Sequence, residues 1–368
     1  MSANAQKPGA KPAYVKEPKV ASERRAYLYK GVGETAGVVT LDGRPERLFI
    51  TWPGDDPLDA EGVRGVARVK KIEKTFASAF VALPGGQDAI LPIRPDMPKL
   101  VEGGVVEIEI KTGSRLGKAA VARFVAEGEG EPRVLAHAPT LEERLRHHVK
   151  AGSPTTGDKA LAAVEEAESD VLAILFDLPG GGDIAVEPTR ALTTVDVDLG
   201  AREATDSKRA ARQANMAALS VAARVLRLKG LGGIIVFDLV GRGHDGQAIT
   251  TAARNAFAQD NPGVGVGAIS KFGTLEMIVP RRAPPILDRL LGQGGALSPR
   301  YVARRLARAL EREGRADPGG RLTARCATAV AEAFQEELDA GVAERLGRRF
   351  VIEAQSDWPV DRLEVSAA

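Results

Sequence analysis

From Arg24 to about Glu127 the apolar positions come in short runs broken by Gly, Pro and Asp: RAYLYKGV, AGVVTLDG, RLFITW, GVARVKKIEK, ASAFVALP, DAILPI, GVVEIEIKT and KAAVARFVA. Runs of this length between turn residues predict an all-β unit. Five of them in succession suit a small barrel of the oligonucleotide-binding type, which carries its ligand on the concave face. Residues 1–22 show no hydrophobic period and are rich in Lys, Pro and Ala, so they read as a flexible basic arm, either a solubilising tail or a contact for nucleic acid.

The pattern changes after residue 127. Residues 128–170 open acidic (EGEGEP) and then alternate two helix-like stretches, LEERLRHHVKAG and DKALAAVEEAE, with a Gly- and Thr-rich segment. This region reads as a linker with short helices, and His147 and His148 within it read as a solvated helix face. Residues 171–282 alternate strands and helices: LAILFDLP, DIAVEP and TTVDVDL, then a helix over about Ser207 to Lys229, then GGIIVFDLV, a Gly-rich turn GRGHDG, a helix near Gln247 to Gln259, and the strand pair VGVGAIS and TLEMIVP. The long helix is the most secure of these. Ala210, Ala214, Ala217, Ala218, Val221, Ala222, Val225 and Leu228 follow a period near 3.6, and most of the basic residues fall elsewhere. Pro284 and Pro285 interrupt the pattern, and residues 283–368 read as a small α+β subdomain. Residues 23–127, 128–170, 171–282 and 283–368 are thus expected as barrel with flanking strands, linker, α/β core and C-terminal subdomain.

Composition narrows the picture. With 368 residues the chain should bury about three-quarters of the surface its unfolded form exposes. Aromatics are only 4% against 44% apolar residues, so Ala, Val, Leu and Ile must build the core. The single thiol, Cys326, excludes an internal disulfide framework and a Cys-cluster zinc site, and points to a reducing, cytoplasmic setting. The N-terminus has no apolar stretch of signal-peptide length and no segment reaches the length of a membrane span, so a soluble chain is expected. The 51 basic and 49 acidic residues leave a formal charge of +2, and any phosphate-binding surface must come from local clustering.

The candidate chemistry lies in two strands. TTVDVDLG places Asp196 and Asp198 two apart, on one face, and GGIIVFDLV places Asp238 at the polar end of an apolar run. Carboxylates in strand-like apolar runs call for a counter-charge, and a divalent cation supplies it most economically. Mg²⁺ takes few carboxylates and completes its shell with water and phosphate oxygens, which suits so sparse a set. Caps and salt bridges are the other common use of strand-end aspartates.

LPGGGDIAVEPTRALTTVDVDLG, then RVLRLKGLGGIIVFDLV, then AISKFGTLEM, taken together, resemble the core of the ribonuclease E/G family. That family's pattern runs approximately LPSGGxIxIxxTEALTxIDVN, LGGxIVIDFIDM and xISxFGLxEM. Upstream, GVARVKKIEKTFASAFVALPGGQDAILPI and RLGKAAVAR resemble its RNA-binding barrel, so the likeness spans residues 24–127 and 171–355. The resemblance implies an OB-fold barrel inserted ahead of a mixed α/β core of DNase I-like and RNase H-like type. It also implies a metal-dependent endoribonuclease that cuts single-stranded RNA with a metal-activated water, leaving 5′-phosphate and 3′-hydroxyl ends. The family's two Mg²⁺-holding aspartates fall on Asp196 and Asp238, and Mn²⁺ can substitute. Asp198 replaces the family's Asn as a third oxygen ligand. Asn215 matches the Asn that precedes the helix core. Phe80 and Lys118 match barrel positions that stack a base and meet the backbone.

Several positions depart from the family pattern. Arg190 and Ala217 stand where Glu is usual, and Ile90 replaces a second stacking aromatic. A catalytically decayed RNA-binding protein, associated with RNA or ribosome maturation, is therefore the alternative reading. Arg282-Ala283-Pro284-Pro285 occupies the place of the zinc-link CPxC, so no zinc is expected and a homodimer would not be zinc-linked. The segment that senses the RNA 5′ end is also missing from the pattern. Lys271, Phe272, Arg281 and Arg282 flank the SKFGTLEM stretch and are candidate phosphate and base contacts, with a core Phe and solvated bases as the equal alternative. His244 and Asp245 follow the Asp238 strand directly and could serve as general acid or base, although turn chemistry explains them equally well.

Overall fold

Three antiparallel strands open the folded chain: β1 (Arg24–Gly31), β2 (Glu34–Leu41) and β3 (Arg44–Thr51). The β2–β3 connection is the two-residue turn Asp42-Gly43, with both φ angles positive, at 52° and 82°. Asp-Gly tolerates that conformation, which matches the twist of the flanking strands. The structure is a computed structural model describing residues 22–55, 58–114, 119–149, 152–202, 206–282, 284–292 and 294–367. Apart from Ser22, the expected basic arm lies outside the described residues, as does Lys118.

The barrel follows, built from β4 (Arg64–Glu73), β5 (Ser78–Ala82), β6 (Asp88–Pro92), β7 (Val105–Thr112) and β8 (Ala120–Glu127). Its strands close in the order β4-β5-β6-β8-β7-β4. Closure is possible because the ten-residue β4 pairs with β7 through its first half and with β5 through its second, so that Arg68 faces both Val105 and Ala82. Alternate residues point inward, and Val69, Val81, Leu91, Ile108 and Ile110 fill the interior. The expected five-stranded closed barrel is present. The strands preceding it are a separate sheet.

After the barrel come β9 (Arg133–Ala136), which adds to β4, then α1 (Leu141–His148) and α2 (Asp158–Leu172). Here the structure departs from the expected linker. Ala160, Leu161, Val164, Ala167 and Val171 of α2 are buried in a core shared with Tyr29, Val38, Leu48 and Trp52 of the first sheet region. His148 departs too. It stacks on Phe49, with ring centroids 6.0 Å apart and 12° between planes, and burial together with nearby Arg47 pushes its pKa down to about 4.

The next sheet has the order β10-β11-β12-β13-β15-β14. Its strands are β10 (Leu175–Asp177), β11 (Asp183–Pro188), β12 (Thr193–Asp198), β13 (Gly233–Asp238), β14 (Gly265–Ile269) and β15 (Thr274–Val279), with α3 (Ser207–Lys229) joining β12 to β13 and α4 (Gly246–Ala256) joining β13 to β14. The β12–β13 pair is parallel, so α3 must run back across the sheet between them. Ala214, Ala218, Leu219, Ala222 and Val225 of α3 pack on Val195, Val197, Ile235 and Phe237, covering one face. The other face is open. Asp206 caps α3 by accepting from the Lys208 amide, and Gly230 ends it in the left-handed region at φ 68°.

The C-terminal elements are α5 (Leu287–Leu290), α6 (Pro299–Ala316), β16 (Leu322–Ala327), α7 (Thr328–Glu337), α8 (Asp339–Leu346), β17 (Phe350–Gln355) and β18 (Leu363–Ala367). They are not an independent cap. Val302, Leu306, Leu310, Leu322, Ala324 and Phe334 share one core with β1–β3 and α2, so the two ends of the chain close on each other and the barrel is an insertion between them. Arg308 of α6 pins this union. It donates to Glu34 at 2.6 and 2.8 Å and to Glu168 at 2.7 and 2.8 Å, all three being buried. Among the described residues no helix is long and apolar enough to cross a membrane.

Lys229, the last residue of α3, is 2% exposed and, among the described residues, donates only to the carbonyls of Val171 and Ala173, at 2.9 and 2.5 Å. Burial pulls its pKa down to about 8, against the opposing pull of Asp170. Between pH 8 and about 10.5 the unfolded chain then holds more protons than the folded one, and stability rises with pH across that window. Urea unfolding of wild type and Lys229→Met at pH 8 and pH 10 checks this. Wild type should gain stability between the two and the variant should gain less; equal gains would contradict the assignment.

Candidate active site

Asp196 and Asp238 are register partners on the neighbouring parallel strands β12 and β13. Adjacent strands lie about 4.8 Å apart, so the two carboxylates leave the sheet side by side. Alternation puts them on the open face: both are exposed, while Val195, Val197, Ile235 and Phe237 are buried beneath α3. No described residue hydrogen-bonds or ion-pairs with either. They stand at the carboxyl ends of parallel strands where α3 begins, which is where ligands bind in open α/β sheets.

Asp198 is not gathered in with them. It is the last residue of β12, and its Oδ1 accepts from the Gly200 amide at 2.6 Å, capping the turn that follows. Across the sheet it faces Asp183, which in turn faces Asp177. Among the described residues no group of three or more His, Cys, Asp or Glu side chains is disposed to hold a metal ion. The expected three-carboxylate set is thus reduced here to a pair. Two unpartnered, solvent-facing carboxylates are still a donor set that suits Mg²⁺, which keeps several waters and takes substrate oxygens as its remaining ligands.

The strand end bearing Asp238 is held from below. Asn215, fully buried on α3, donates through Nδ2 to the Val240 carbonyl at 3.0 Å and accepts from the Val240 amide at 3.1 Å. Both backbone polar groups of Val240 are satisfied by one side chain. Asn215→Ala orphans them and is expected to cost about 2 kcal/mol in urea unfolding. Asn215→Asp should lose at least as much, because its buried carboxylate would have no counter-charge and would face the Val240 carbonyl. An alanine variant as stable as wild type would remove the clamp from the account.

The β14–β15 hairpin borders the pair on its other side. Asp238 faces Thr274, and the Leu239 amide donates to the Gly273 carbonyl at 3.3 Å. At the tip, Phe272 is 81% exposed and the Lys271 ammonium lies 4.9 Å from its ring centroid. Phe272 is therefore not a core residue. Arg281 is exposed but tethered, its Nε donating to the Gly232 carbonyl at 2.8 Å, at the opposite end of β13 from Asp238. Arg282 is spent on the carbonyls of Asp260 and Pro262, at 2.9 and 3.2 Å.

His244 is half-buried against Gly273, and its Nε2 has no hydrogen-bond partner among the described residues; Asp245 caps α4 through the Ala248 amide at 3.0 Å and pairs with Arg212 at 3.5 Å. Turn and cap chemistry accounts for Asp245. In the barrel, Phe80 lies half-buried in a rung Lys71–Phe80–Ile90–Val121.

Some basic residues here were legible in the sequence only as a polar face. Lys208, Arg209 and Arg212 are exposed at the start of α3, at the same end of the sheet as the aspartate pair, and Arg242 is exposed in the loop after β13. Their signal was present: the first turn of α3 has no acidic residue, although the helix dipole favours acids there.

Residues 129–282 match the Ribonuclease E/G family. The chain is similar to ribonuclease E of Escherichia coli strain K12, 32% identical over 168 residues, covering 42% of this chain and 16% of that protein. It is similar to ribonuclease G of the same strain, 26% identical over 251 residues, covering 64% of this chain and 47% of that protein. It is also similar to ribonuclease E of Buchnera aphidicola subsp. Acyrthosiphon pisum, 38% identical over 104 residues, covering 27% and 11%. The chain therefore matches less than half the length of each of these relatives.

Proposed function

We propose that this chain, whose residues 129–282 match the Ribonuclease E/G family, is an endoribonuclease acting on single-stranded RNA, with Asp196 and Asp238 as its catalytic pair. One observation carries the reading: two carboxylates without partners among the described residues stand in register on adjacent parallel strands, at the solvent-facing end of the sheet. Their place in the fold requires no such pairing of like charges, which costs stability unless a cation offsets it. Mg²⁺ or Mn²⁺ bound there would polarise a phosphodiester oxygen and make a water more acidic.

The chain's own residues would do the rest. The barrel holds the strand, the Phe272 ring stacks a base beside the pair, and Lys271, Lys208 and Arg242 neutralise flanking phosphates. Asn215 keeps Asp238 in place through Val240. Hydrolysis of the family type would leave 5′-phosphate and 3′-hydroxyl ends, in a reducing, cytoplasmic setting where Cys326 stays a thiol.

The departures from the family pattern lie off this pair. Arg190 is exposed in the β11–β12 turn, six residues and up to about 20 Å along the strand from Asp196. Ala217 packs against the helix-covered face of the sheet, and Ile90 is in the barrel. These positions support weaker substrate grip more than lost chemistry. Incubating the chain with fluorescent single-stranded RNA in Mg²⁺ and in EDTA tests the proposal. Cleavage in Mg²⁺ alone, with 5′-phosphate products by mass spectrometry, is expected; binding without cleavage would favour the RNA-binding alternative.

A further inference from the structure

We infer that Phe76, on the β4–β5 turn of the barrel, is a base-stacking residue for single-stranded RNA; the inference rests on the RNA-directed reading proposed above. In a chain with only 10 Phe, 4 Tyr and 2 Trp, two aromatic rings are exposed among the described residues, Phe272 at 81% and Phe76 at 77%. Both lie on hairpin tips beside a lysine, one at the sheet that carries the aspartate pair and one on the barrel.

The exposure of Phe76 is built into the turn. Lys74–Phe76 forms a single 3-10 turn closed by the Ala77 amide donating to the Lys74 carbonyl at 3.2 Å, and Ala77 takes a left-handed φ of 44°, which a residue with a Cβ rarely adopts. Two further bonds fix the backbone: Ser78 Oγ donates to the Phe76 carbonyl at 2.9 Å, and the Ile93 amide donates to the Ala77 carbonyl at 2.7 Å. A strained, well-tethered turn that presents an apolar ring to water invites a planar partner.

The surroundings specify what kind of partner. Lys74 and Arg94 are exposed within this turn and beside the end of β6, with no side-chain partner among the described residues. Lys71 is paired with Glu73, and Glu102 is occupied by the Ile72 amide at 2.8 Å. A flat ring with free cations beside it suits an unpaired base and its phosphates. Ile90 cannot stack, and Phe80 offers only a half-buried ring, so Phe76 supplies the surface that the strand rung lacks.

The full chain is titrated against fluorescein-labelled oligouridylate in EDTA, so that binding is read apart from cleavage. Phe76→Ala should weaken binding about 5- to 150-fold. Because the ring is exposed, the fold should be untouched. Phe76→Trp should keep wild-type affinity, with tryptophan emission quenched as RNA is added. A Phe76→Ala affinity within about twofold of wild type, or equal competition by duplex RNA, would overturn the inference. A wild type that does not bind would sink the RNA reading itself, and this inference with it.

Discussion

Asp238→Asn is expected to lower the rate of single-stranded RNA cleavage in Mg²⁺ by at least about a hundredfold, with RNA binding in EDTA within about twofold of wild type. The amide keeps the size of the side chain and removes the charge that would hold the cation. Asp196→Asn should behave alike, and the double variant should be little worse than either, since ligands of one ion act as a unit. Asp198→Asn should lose far less, because its carboxylate is engaged with the Gly200 amide. The two exposed acids face each other across parallel strands, so either substitution should leave the urea midpoint unchanged or slightly raised. Cleavage by Asp238→Asn at the wild-type rate would contradict the assignment.

Arg308→Met is expected to cost about 3–5 kcal/mol in urea unfolding, the largest stability effect among the substitutions considered. The side chain is 3% exposed and is the shared counter-charge of Glu34 and Glu168, which are 5% and 3% exposed. Removing it leaves two buried carboxylates, with only the Tyr301 hydroxyl, 3.1 Å from Glu168, still directed at them among the described residues. Glu34 is on β2, Glu168 on α2 and Arg308 on α6, so the cluster joins the two ends of the chain. Replacing all three charges together with apolar side chains should restore most of the loss, because the penalty comes from the unpaired charges. A triple variant as unstable as the single one would show that shape, and not charge, is decisive there.

Much of this architecture was legible in the local pattern. The period of Ala214, Ala218, Val221, Ala222 and Val225 marks α3, and β12 and β13 announce themselves through apolar runs ending in aspartate. The barrel strands followed from their turns. What escaped depends on contacts distant in sequence. Nothing near Ala160 or Val164 says that α2 packs against residues more than a hundred positions away, and nothing near Leu322 says that the C-terminal strands share a core with Tyr29. His148 looked solvated because its stacking partner, Phe49, lies on another element. The aspartate pair was visible as two motifs, but its register depends on parallel pairing across α3, and the withdrawal of Asp198 depends on a turn that only the folded chain displays.

The decisive measurement is the anomalous difference map of a crystal soaked in Mn²⁺. One cation seated between the side chains of Asp196 and Asp238 is the predicted result. An empty pair, with Mn²⁺ bound instead along Asp177, Asp183 and Asp198 or nowhere on this sheet, would contradict it.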